Sequence, residues 1–272
     1  MALPPPLPEH LMTRGSDPEL LREEVLEVIR RRMKNHPRSL QKAIGPSEVG
    51  TPCDRKLAYK MAGVPTLDEV DRRWRATVGV AVHAWLQETF EDDDPGTPDE
   101  PIRWVTEARV MVGEIGGEQI TGSSDFYDRI SATVLDWKIV GPTTLREVKK
   151  NGPGQQYRYQ GHLYGRGFVN AGLPVDVIMI VFLPSNGNLN AGYFHYEPYD
   201  PAIAEAALAR ANQAAALVKA FGAKAAAIAG TADDHCSSCD WFLPAATDHE
   251  EACPGHPVTG TAATQAAPTQ PA

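Results

Sequence analysis

Residues 119–140 read QITGSSDFYDRISATVLDWKIV, two runs of strand-forming residues on either side of the polar turn at residues 128–131. The β-branched and aromatic residues around that turn predict two strands joined as a hairpin. Because side chains alternate between the two faces of a strand, Asp136 and Lys138 share one face. The hairpin then brings Asp125, at the end of the first polar run, towards Asp136.

Further strands and helices follow from apolar periodicity and turn residues along the rest of the chain. Strands are predicted as a three-stranded meander over residues 104–140, as a near-continuous apolar run over 175–183, and over 190–197, which pairs with that run across the Asn186-Gly187 turn. Helices are predicted from about Trp74 to Phe90, from Gln155 to Asn170, and from Pro201 to about Ala229. Residues 91–101 and 141–154 are predicted to be polar loops.

The two ends of the chain differ in composition from its middle. The Pro-rich residues 1–15 are predicted to be flexible, and a helix begins near Ser16, where Glu19 completes a capping signal, and ends before Pro37. Residues 257–272 are small, polar and Pro-containing, and are predicted to be disordered. We therefore expect one domain over residues 16–256.

Hydropathy and charge narrow the function classes. Because the sequence shows neither a signal peptide nor an apolar run of about 18 residues, we expect a cytoplasmic protein that does not enter a membrane, in the host cytoplasm if it is phage-encoded. The formal net charge of -9 argues against a protein that coats nucleic acid nonspecifically. Local basic stretches at residues 30–32, 72–75 and 146–150 could still track a nucleic-acid backbone, so the charge leaves the partner open.

Two carboxylates beside an ammonium group on one face of a sheet suit phosphodiester hydrolysis. Asp125 and Asp136 could hold a hard cation that polarises the phosphate and acidifies a water, while Lys138 positions or deprotonates that water. An isolated Asp-x-Lys is also typical of a surface ion pair, so the assignment depends on the rest of the sequence. Glu107, on the preceding strand, is at most an accessory carboxylate.

Other residues could complete such a site. His83 follows Gly79 by one helical turn; its imidazole could be a third metal ligand, and the glycine would permit close backbone approach. Gln160 and Tyr164 are spaced to share a helix face and could contact phosphate or orient the lysine. Ordinary packing roles stay open for all of these. Side chains that could stack on bases or meet phosphates are Tyr157, Tyr159, Arg158 and Arg166.

The four cysteines are the second strong signal. Cys236 and Cys239 form a Cys-x-x-Cys pair, Cys253 follows after residues 240–252, and Cys53 lies far upstream. Four thiolates can hold either zinc or an iron-sulfur cluster, and three histidines keep a mixed zinc site open: His235, His249 and His256. A third reading leaves Cys53 as a buried thiol and gives the metal to the other three cysteines.

Taken together, these elements resemble the RecB-like branch of the PD-(D/E)xK nuclease superfamily, in particular the CRISPR-associated and phage-encoded exonucleases that carry an iron-sulfur cluster. The resemblance covers roughly residues 45–253, and the motifs taken together in their order along the chain are more specific than any one motif alone. In chain order the elements are Cys53 with Arg55, Gly79-x-x-x-His83, Gly122-x-x-Asp125, Asp136-x-Lys138, Gln160-x-x-x-Tyr164, Cys236-x-x-Cys239 and Cys253.

The resemblance implies a fold, a set of cofactors and roles for residues. The implied fold is α/β, a mixed central sheet flanked by helices (a restriction-endonuclease-like nuclease core), with a cysteine-bound cluster joining the N- and C-terminal segments. It implies Mg²⁺ or Mn²⁺ held at a sheet-edge cleft by His83, Asp125, Asp136 and the Ile139 carbonyl. Lys138 would be catalytic, and Gln160, Tyr164 and Arg55 would bind substrate. A four-iron four-sulfur cluster, or zinc instead, would be held by Cys53, Cys236, Cys239 and Cys253.

The function that the sequence favours is therefore that of a metal-dependent DNA nuclease. We expect an exonuclease that acts on DNA ends or single strands in recombination, repair or phage DNA metabolism, where a helicase or recombination protein could be its partner. The alternative is a noncatalytic, metal-stabilised DNA-binding or assembly module. A third option, an RNA-directed nuclease, differs in the contacts that the pocket makes with the sugar.

Overall fold

The computed structural model describes residues 18–35, 44–67, 70–94, 96–97, 102–232 and 236–257. The predicted flexible start, the Ser16 cap, His235 and almost all of the predicted tail lie outside these residues. The chain divides into two compact units. Residues 18–35 and 70–74 belong to the first unit, and the other described residues form the second.

The first unit contains helix α1 (Pro18–Lys34) and a 3-10 turn (Val70–Arg73). The predicted helix that ends before Pro37 is confirmed. Arg30 joins the two elements, because its Nε donates to Asp71 Oδ1 at 2.8 Å and its Nη2 donates to Asp71 Oδ2 at 3.0 Å. This pair is largely exposed, so it stabilises the unit only weakly.

The second unit is built on a five-stranded mixed sheet in the order β1-β2-β3-β4-β5. The strands are β1 (Trp104–Ile115), β2 (Glu118–Asp128), β3 (Thr133–Val140), β4 (Val177–Pro184) and β5 (Tyr193–Pro198). The pair β3–β4 is parallel and the other neighbours are antiparallel. The predicted meander and the mixed α/β architecture are confirmed.

Helices flank this sheet on both faces. They are α2 (Pro46–Val49), α3 (Asp54–Ala62), α4 (Trp74–Asp93), α5 (Pro142–Asn151), α6 (Gln155–Asn170), α7 (Pro201–Phe221) and α8 (Lys224–Ile228). On one face, Leu86 of α4 packs in a cluster with Phe126 and Trp137. On the other face, α6 and α7 cover the main core. No helix in the described ranges has both the length and the apolar character to span a bilayer.

The sequence prediction is wrong where it placed one loop. Residues 142–151 form helix α5, whose Leu145 and Val148 are buried. Pro142 lies in the first turn of this helix and Gly152 directly after its last residue, as is typical of helix ends. Because proline and glycine are also typical of loops, they favoured the wrong prediction. Because β3 and β4 are parallel, a tight turn cannot join them. Helices α5 and α6 form the crossover between the two strands.

Smaller differences lie at element boundaries. Helix α4 continues to Asp93, into the predicted acidic loop. The predicted helix over residues 201–229 is broken at Gly222, whose φ of 60 and ψ of -138 are not helical. The β4–β5 connection contains a 3-10 turn (Leu189–Ala191) instead of a tight two-residue turn. Cooperative packing, more than local propensity, sets such ends.

Candidate metal centre and cysteine cavity

Three carboxylates line up across the sheet at the point where β1, β2 and β3 meet. The pairs Thr106↔Phe126 and Ala108↔Ser124 flank Glu107, so this residue stands opposite Asp125. The β2–β3 register, extended by one residue beyond Phe126↔Leu135, sets Asp125 opposite Asp136. Adjacent strands lie about 4.8 Å apart, so this register concentrates negative charge in one row.

His83 reaches this row from α4. Among the described residues, one ligand atom each from His83, Glu107 and Asp125 all lie within 4.8 Å of one another, a spacing that a bound metal ion requires. His83 Nδ1 lies 3.3 Å from Asp125 Oδ1. The second oxygen of Asp125 accepts a hydrogen bond from the backbone N–H of Trp137 at 2.8 Å, which fixes the carboxylate.

The protonation states of His83 and Asp125 depend on each other. Burial opposes ionisation of His83, but its hydrogen bond and attraction to Asp125 outweigh that effect, so the pKa of His83 is raised. Burial likewise opposes ionisation of Asp125. The hydrogen bond from His83 and the charge of Lys138 outweigh it, so the pKa of Asp125 is lowered. Each partner therefore favours the charged form of the other.

Asp136 is the most deeply buried member of the row. Its exposed fraction is 0%, and burial, together with the nearby Asp125 charge, raises its pKa to about 6. The ammonium group of Lys138 contacts Asp136 Oδ2. Neither carboxylate oxygen accepts a hydrogen bond from another described residue. The Lys138 ammonium thus offsets part of the cost of burying this charge, whereas Oδ1 has neither a donor nor a cation beside it among the described residues.

Glu107 lies closer to the candidate metal site than the sequence predicted. Its φ is 45, a left-handed value that costs a side-chain-bearing residue about 1–2 kcal/mol. Strain of this kind persists where the surrounding structure imposes it, commonly at functional sites. No local sequence pattern predicts this position, because the register between β1 and β2, and not the residues around Glu107, places it beside Asp125.

Two of the predicted supporting residues contact each other in α6. Gln160 Nε2 lies 3.5 Å from the Tyr164 hydroxyl, and both side chains are buried. Gly122 of the Gly122-x-x-Asp125 element lies against them, because a Cβ there would be 2.7 Å from Pro46 Cδ and 3.1 Å from Tyr164 Cε1. The predicted close approach at Gly79 is wrong, since a Cβ there would meet no described atom within 4 Å.

The residues predicted to stack on bases or meet phosphates mostly have partners within the protein. Lys138 Nζ lies 5.8 Å from the centre of the Tyr157 ring. Arg158 donates three hydrogen bonds to Glu197, the shortest at 2.7 Å. Arg166 Nη1 lies 3.8 Å from Glu205. These two arginines are therefore engaged inside the fold.

All four cysteines line one cavity, which is partly open to solvent. Cys53 precedes the first turn of α3, and Cys236 begins a 3-10 turn (Cys236–Ser238) that Cys239 directly follows. Backbone N–H groups point at two of the sulfurs: Gly255 donates to Cys253 Sγ at 3.3 Å, and His256 donates to Cys236 Sγ at 3.4 Å. Sulfurs that accept such bonds are suited to the thiolate form.

Arg55, which the sequence reading assigned to substrate, lies at this cavity. Its Nη1 lies 3.8 Å from Cys253 Sγ, and its Nη2 donates to the Ala227 carbonyl at 3.2 Å. The Arg55 backbone N–H donates to the Gly230 carbonyl at 2.9 Å. The guanidinium thus connects α3 and α8 with the last cysteine.

The long interval before Cys253 is closed by backbone pairing. Leu243 N–H donates to the Cys253 carbonyl at 2.8 Å, and Cys253 N–H donates to the Trp241 carbonyl at 2.7 Å. The Tyr59 hydroxyl lies 2.7 Å from the carbonyls of both His249 and Ala252. Residues 240–252 therefore loop out and return, which brings Cys253 back to the other three cysteines.

Comparisons with solved structures find two structures of one exonuclease at low sequence identity. The chain is similar to the alkaline exonuclease LHK-Exo from Laribacter hongkongensis, with a TM-score of 0.46 and 12% identity over 66% of this chain and 89% of that one. The same exonuclease in complex with dAMP matches with a TM-score of 0.45 and 14% identity over 66% and 89%. No family profile and no curated protein matches the chain.

Proposed function

We propose that the protein is a metal-dependent DNA nuclease of the RecB-like type. The observation that carries the proposal is the row Glu107, Asp125 and Asp136 on three adjacent strands, with His83 and Lys138 beside it. Carboxylate oxygens suit Mg²⁺ and Mn²⁺, and one imidazole is compatible with the latter. The ordered sequence elements supply independent support.

The residues present fit a divalent cation. His83, Glu107 and Asp125 offer ligand atoms within 4.8 Å of one another. Asp136 is not a member of this 4.8 Å group; it is proposed to complete the ligand set because it stands opposite Asp125 and its buried Oδ1 has no hydrogen-bond donor among the described residues. When bound there, Mg²⁺ or Mn²⁺ would supply charge that polarises the scissile phosphate and lowers the pKa of an attacking water. The Ile139 carbonyl is a proposed fifth contributor.

The protein's own groups would then do three things. Lys138, whose ammonium group contacts Asp136 and lies 5.8 Å from the centre of the Tyr157 ring, would donate hydrogen bonds that orient the attacking water. The Trp137 N–H holds Asp125 in a fixed rotamer, so the ligand set is preorganised. Gln160 and Tyr164 would support the site from α6.

The test is cleavage of end-labelled linear DNA, closed circular DNA and a matched RNA by anaerobically purified protein, with and without Mn²⁺. Asp136→Asn and Lys138→Met should each lower cleavage at least a hundredfold, whereas the exposed Glu118→Gln on β2 serves as matched control and should cleave normally. Sparing of circles identifies an exonuclease. Equal cleavage of RNA favours the RNA-directed alternative, and a folded protein that is inert on every substrate yet binds DNA favours the noncatalytic module.

We further propose that the four cysteines hold an iron-sulfur cluster and not a single zinc ion. Four thiolates around one zinc ion lie about 3.8 Å apart, given Zn–S bonds of about 2.3 Å in a tetrahedron. No three of these four sulfurs, all in described residues, lie within 4.8 Å of one another. A cluster in which each thiolate binds a different iron accepts a wider spacing.

Metal analysis and visible absorbance of the anaerobic protein test this proposal. Iron and acid-labile sulfide in equal amounts with broad visible absorbance would support it. Stoichiometric zinc in colourless protein would contradict it. His249 and His256 also lie near the cysteines: the His249 carbonyl accepts from the Tyr59 hydroxyl, and the His256 backbone N–H donates to Cys236 Sγ. Stoichiometric zinc would therefore favour a mixed cysteine and histidine ligand set as well as four cysteines.

A further inference from the structure

Helix α5 carries a cationic face directly after the strand that bears Lys138. Its sequence PTTLREVKKN contains three cations and one anion, in a chain whose formal net charge is -9. Leu145 and Val148 are buried, whereas Arg146, Lys149 and Lys150 are exposed. Since Lys149 and Lys150 lie three and four residues after Arg146, all three project from one side of the helix.

These cations are not used within the described part of the protein. No described carboxylate lies within 4.0 Å of Arg146, Lys149 or Lys150, in contrast to Arg158 and Arg166, which are paired. The one anion of the helix, Glu147, accepts a hydrogen bond from Asn151. Like charges three and four residues apart destabilise a helix by a few tenths of a kcal/mol, so packing gives no reason for the cluster.

Helix α5 begins close to the proposed active site along the chain. Only Ile139, Val140 and Gly141 separate Lys138 from the first residue of α5. The helix packs on β4 and β5, the side of the sheet that extends beyond the acidic row on β1, β2 and β3. Phosphates that continue from a scissile group at that row would meet α5 first on this side.

We infer that the exposed face of α5, formed by Arg146, Lys149 and Lys150, binds the sugar-phosphate backbone of the nucleic-acid substrate next to the scissile phosphate. The inference rests on the proposed nuclease function and adds the surface that holds the substrate. Exposed lysines and arginines neutralise phosphates and release counterions, which makes binding salt-dependent without sequence preference.

The salt dependence of DNA binding gives a quantitative test. In an Asp136→Asn background, which keeps the DNA intact, the affinity for labelled DNA would be measured between 50 and 200 mM salt. The double variant K149Q/K150Q should reduce the slope of log affinity against log salt by about 1.8 for duplex DNA or about 1.4 for a single strand. R146Q should reduce the slope by about half as much.

The matched control is K219Q/K224Q, which also removes two exposed lysines but from α7 and α8. Its slope should equal that of the parent. An equal loss in both doubles, or no loss in K149Q/K150Q, overturns the α5 surface while leaving the nuclease proposal intact if the native Asp136 protein cleaves DNA. If that protein neither binds nor cleaves DNA at 50 mM salt, the proposed function fails first. Unchanged thermal unfolding of the glutamine variants would show that a smaller salt dependence is not caused by unfolding of the protein.

Discussion

Asp136 combines complete burial with a negative charge that only Lys138 contacts closely. Its pKa of about 6 means that the apo protein pays in stability for ionising it. Because the folded-state pKa lies above the unfolded value of about 3.9, the unfavourable contribution develops as the pH rises from about 4 to about 6 and is then constant. A bound cation would stabilise the ionised Asp136 carboxylate and so remove this loss of stability.

Metal affinity should therefore rise with pH. Binding requires a neutral His83, whose pKa is raised, and an ionised Asp136, whose pKa is about 6, so protons compete with the metal. We expect the apparent Mn²⁺ affinity, measured by calorimetry, to increase at least tenfold between pH 5.5 and 6.5 and to level off above the pKa of His83. Release of protons into the buffer on binding would be measured in the same titrations. An affinity that does not vary over this range would contradict the assigned ligands.

The same residue predicts a conflict between stability and activity. Asp136→Asn removes the buried charge, so without metal it should raise the free energy of unfolding by about 1–3 kcal/mol at pH 8 and by much less at pH 4. Thermal unfolding at the two pH values measures the difference, and Glu118→Gln is the exposed control. A variant that is destabilised equally at both pH values would show that the carboxylate is needed for packing alone.

Arg55 should stabilise the proposed cluster and not the substrate. Its guanidinium bridges Cys253 Sγ and the Ala227 carbonyl, and a charged hydrogen bond of this kind contributes about 1.5 kcal/mol or more. Arg55→Met should therefore shorten the lifetime of the visible absorbance in chelator about tenfold, with DNA affinity unchanged in the fully loaded protein. The opposite result, a normal lifetime with weakened DNA binding, would favour the substrate role that the sequence suggested.

At the scale of elements, helix α6 meets the sheet through glycines. A Cβ on Gly167 would lie 2.5 Å from Val110 Cγ2, and one on Gly161 would lie 2.5 Å from Ile178 Cγ2. These glycines let the helix backbone approach β1 and β4 more closely than any larger residue allows. The close approach presents Gln160 and Tyr164 to the interior beside β3.

Alanine substitution separates this packing role from helix propensity. Gly167→Ala should lower the free energy of unfolding by up to about 2 kcal/mol, since overpacking costs about 1–3 kcal/mol and the higher helix propensity of alanine returns about 1 kcal/mol. The matched control is Gly79→Ala in α4, where a Cβ meets no described atom within 4 Å and stability should rise by up to about 1 kcal/mol. Chemical denaturation of both variants measures the contrast. Equal effects at the two positions would mean that α6 can shift away from the sheet.

At the scale of the whole molecule, the cysteine cavity has its own small core beside the sheet. Ala58 and Tyr59 of α3 pack there with Trp241 and the alanines of α8, separately from the main cluster under α6. The Tyr59 and Trp241 rings stack with centroids 5.6 Å apart. Trp241 Nε1 also donates to the Val64 carbonyl at 3.1 Å. Contacts that need no metal thus already join residues 53–67 to residues 236–256.

Loss of the cluster should therefore loosen one region and spare the other. In Cys236→Ser protein, we expect hydrogen exchange to accelerate over residues 53–67 and 236–256, while β3 and β4 keep their protection. Tyr59→Phe, which removes a hydroxyl held by two carbonyls but no cysteine, is the control and should accelerate the same segments less. Loss of protection throughout the sheet would show that the two cores fold as one unit.

Local patterns were sufficient to predict much of the fold and part of the site. Alternation over residues 104–140 and the apolar run near 177–184 predicted the strands, and helical periodicity predicted α6 from Gln155 to Asn170. The same alternation placed Asp136 and Lys138 on one face. These features depend on neighbours in sequence, which is why periodicity and turn residues carry them.

What tertiary structure decided are the relations between distant residues. The β1–β2 register makes Glu107 a neighbour of His83 and Asp125, and packing places Arg55 at the cysteine cavity. The sequence by itself determined which residue types could do the chemistry and in what order they occur along the chain. Which of them meet was decided by strand register, by the crossover through α5 and by the return of residues 240–252, because such contacts arise from burial shared across the whole fold and leave no periodic signal in any one segment.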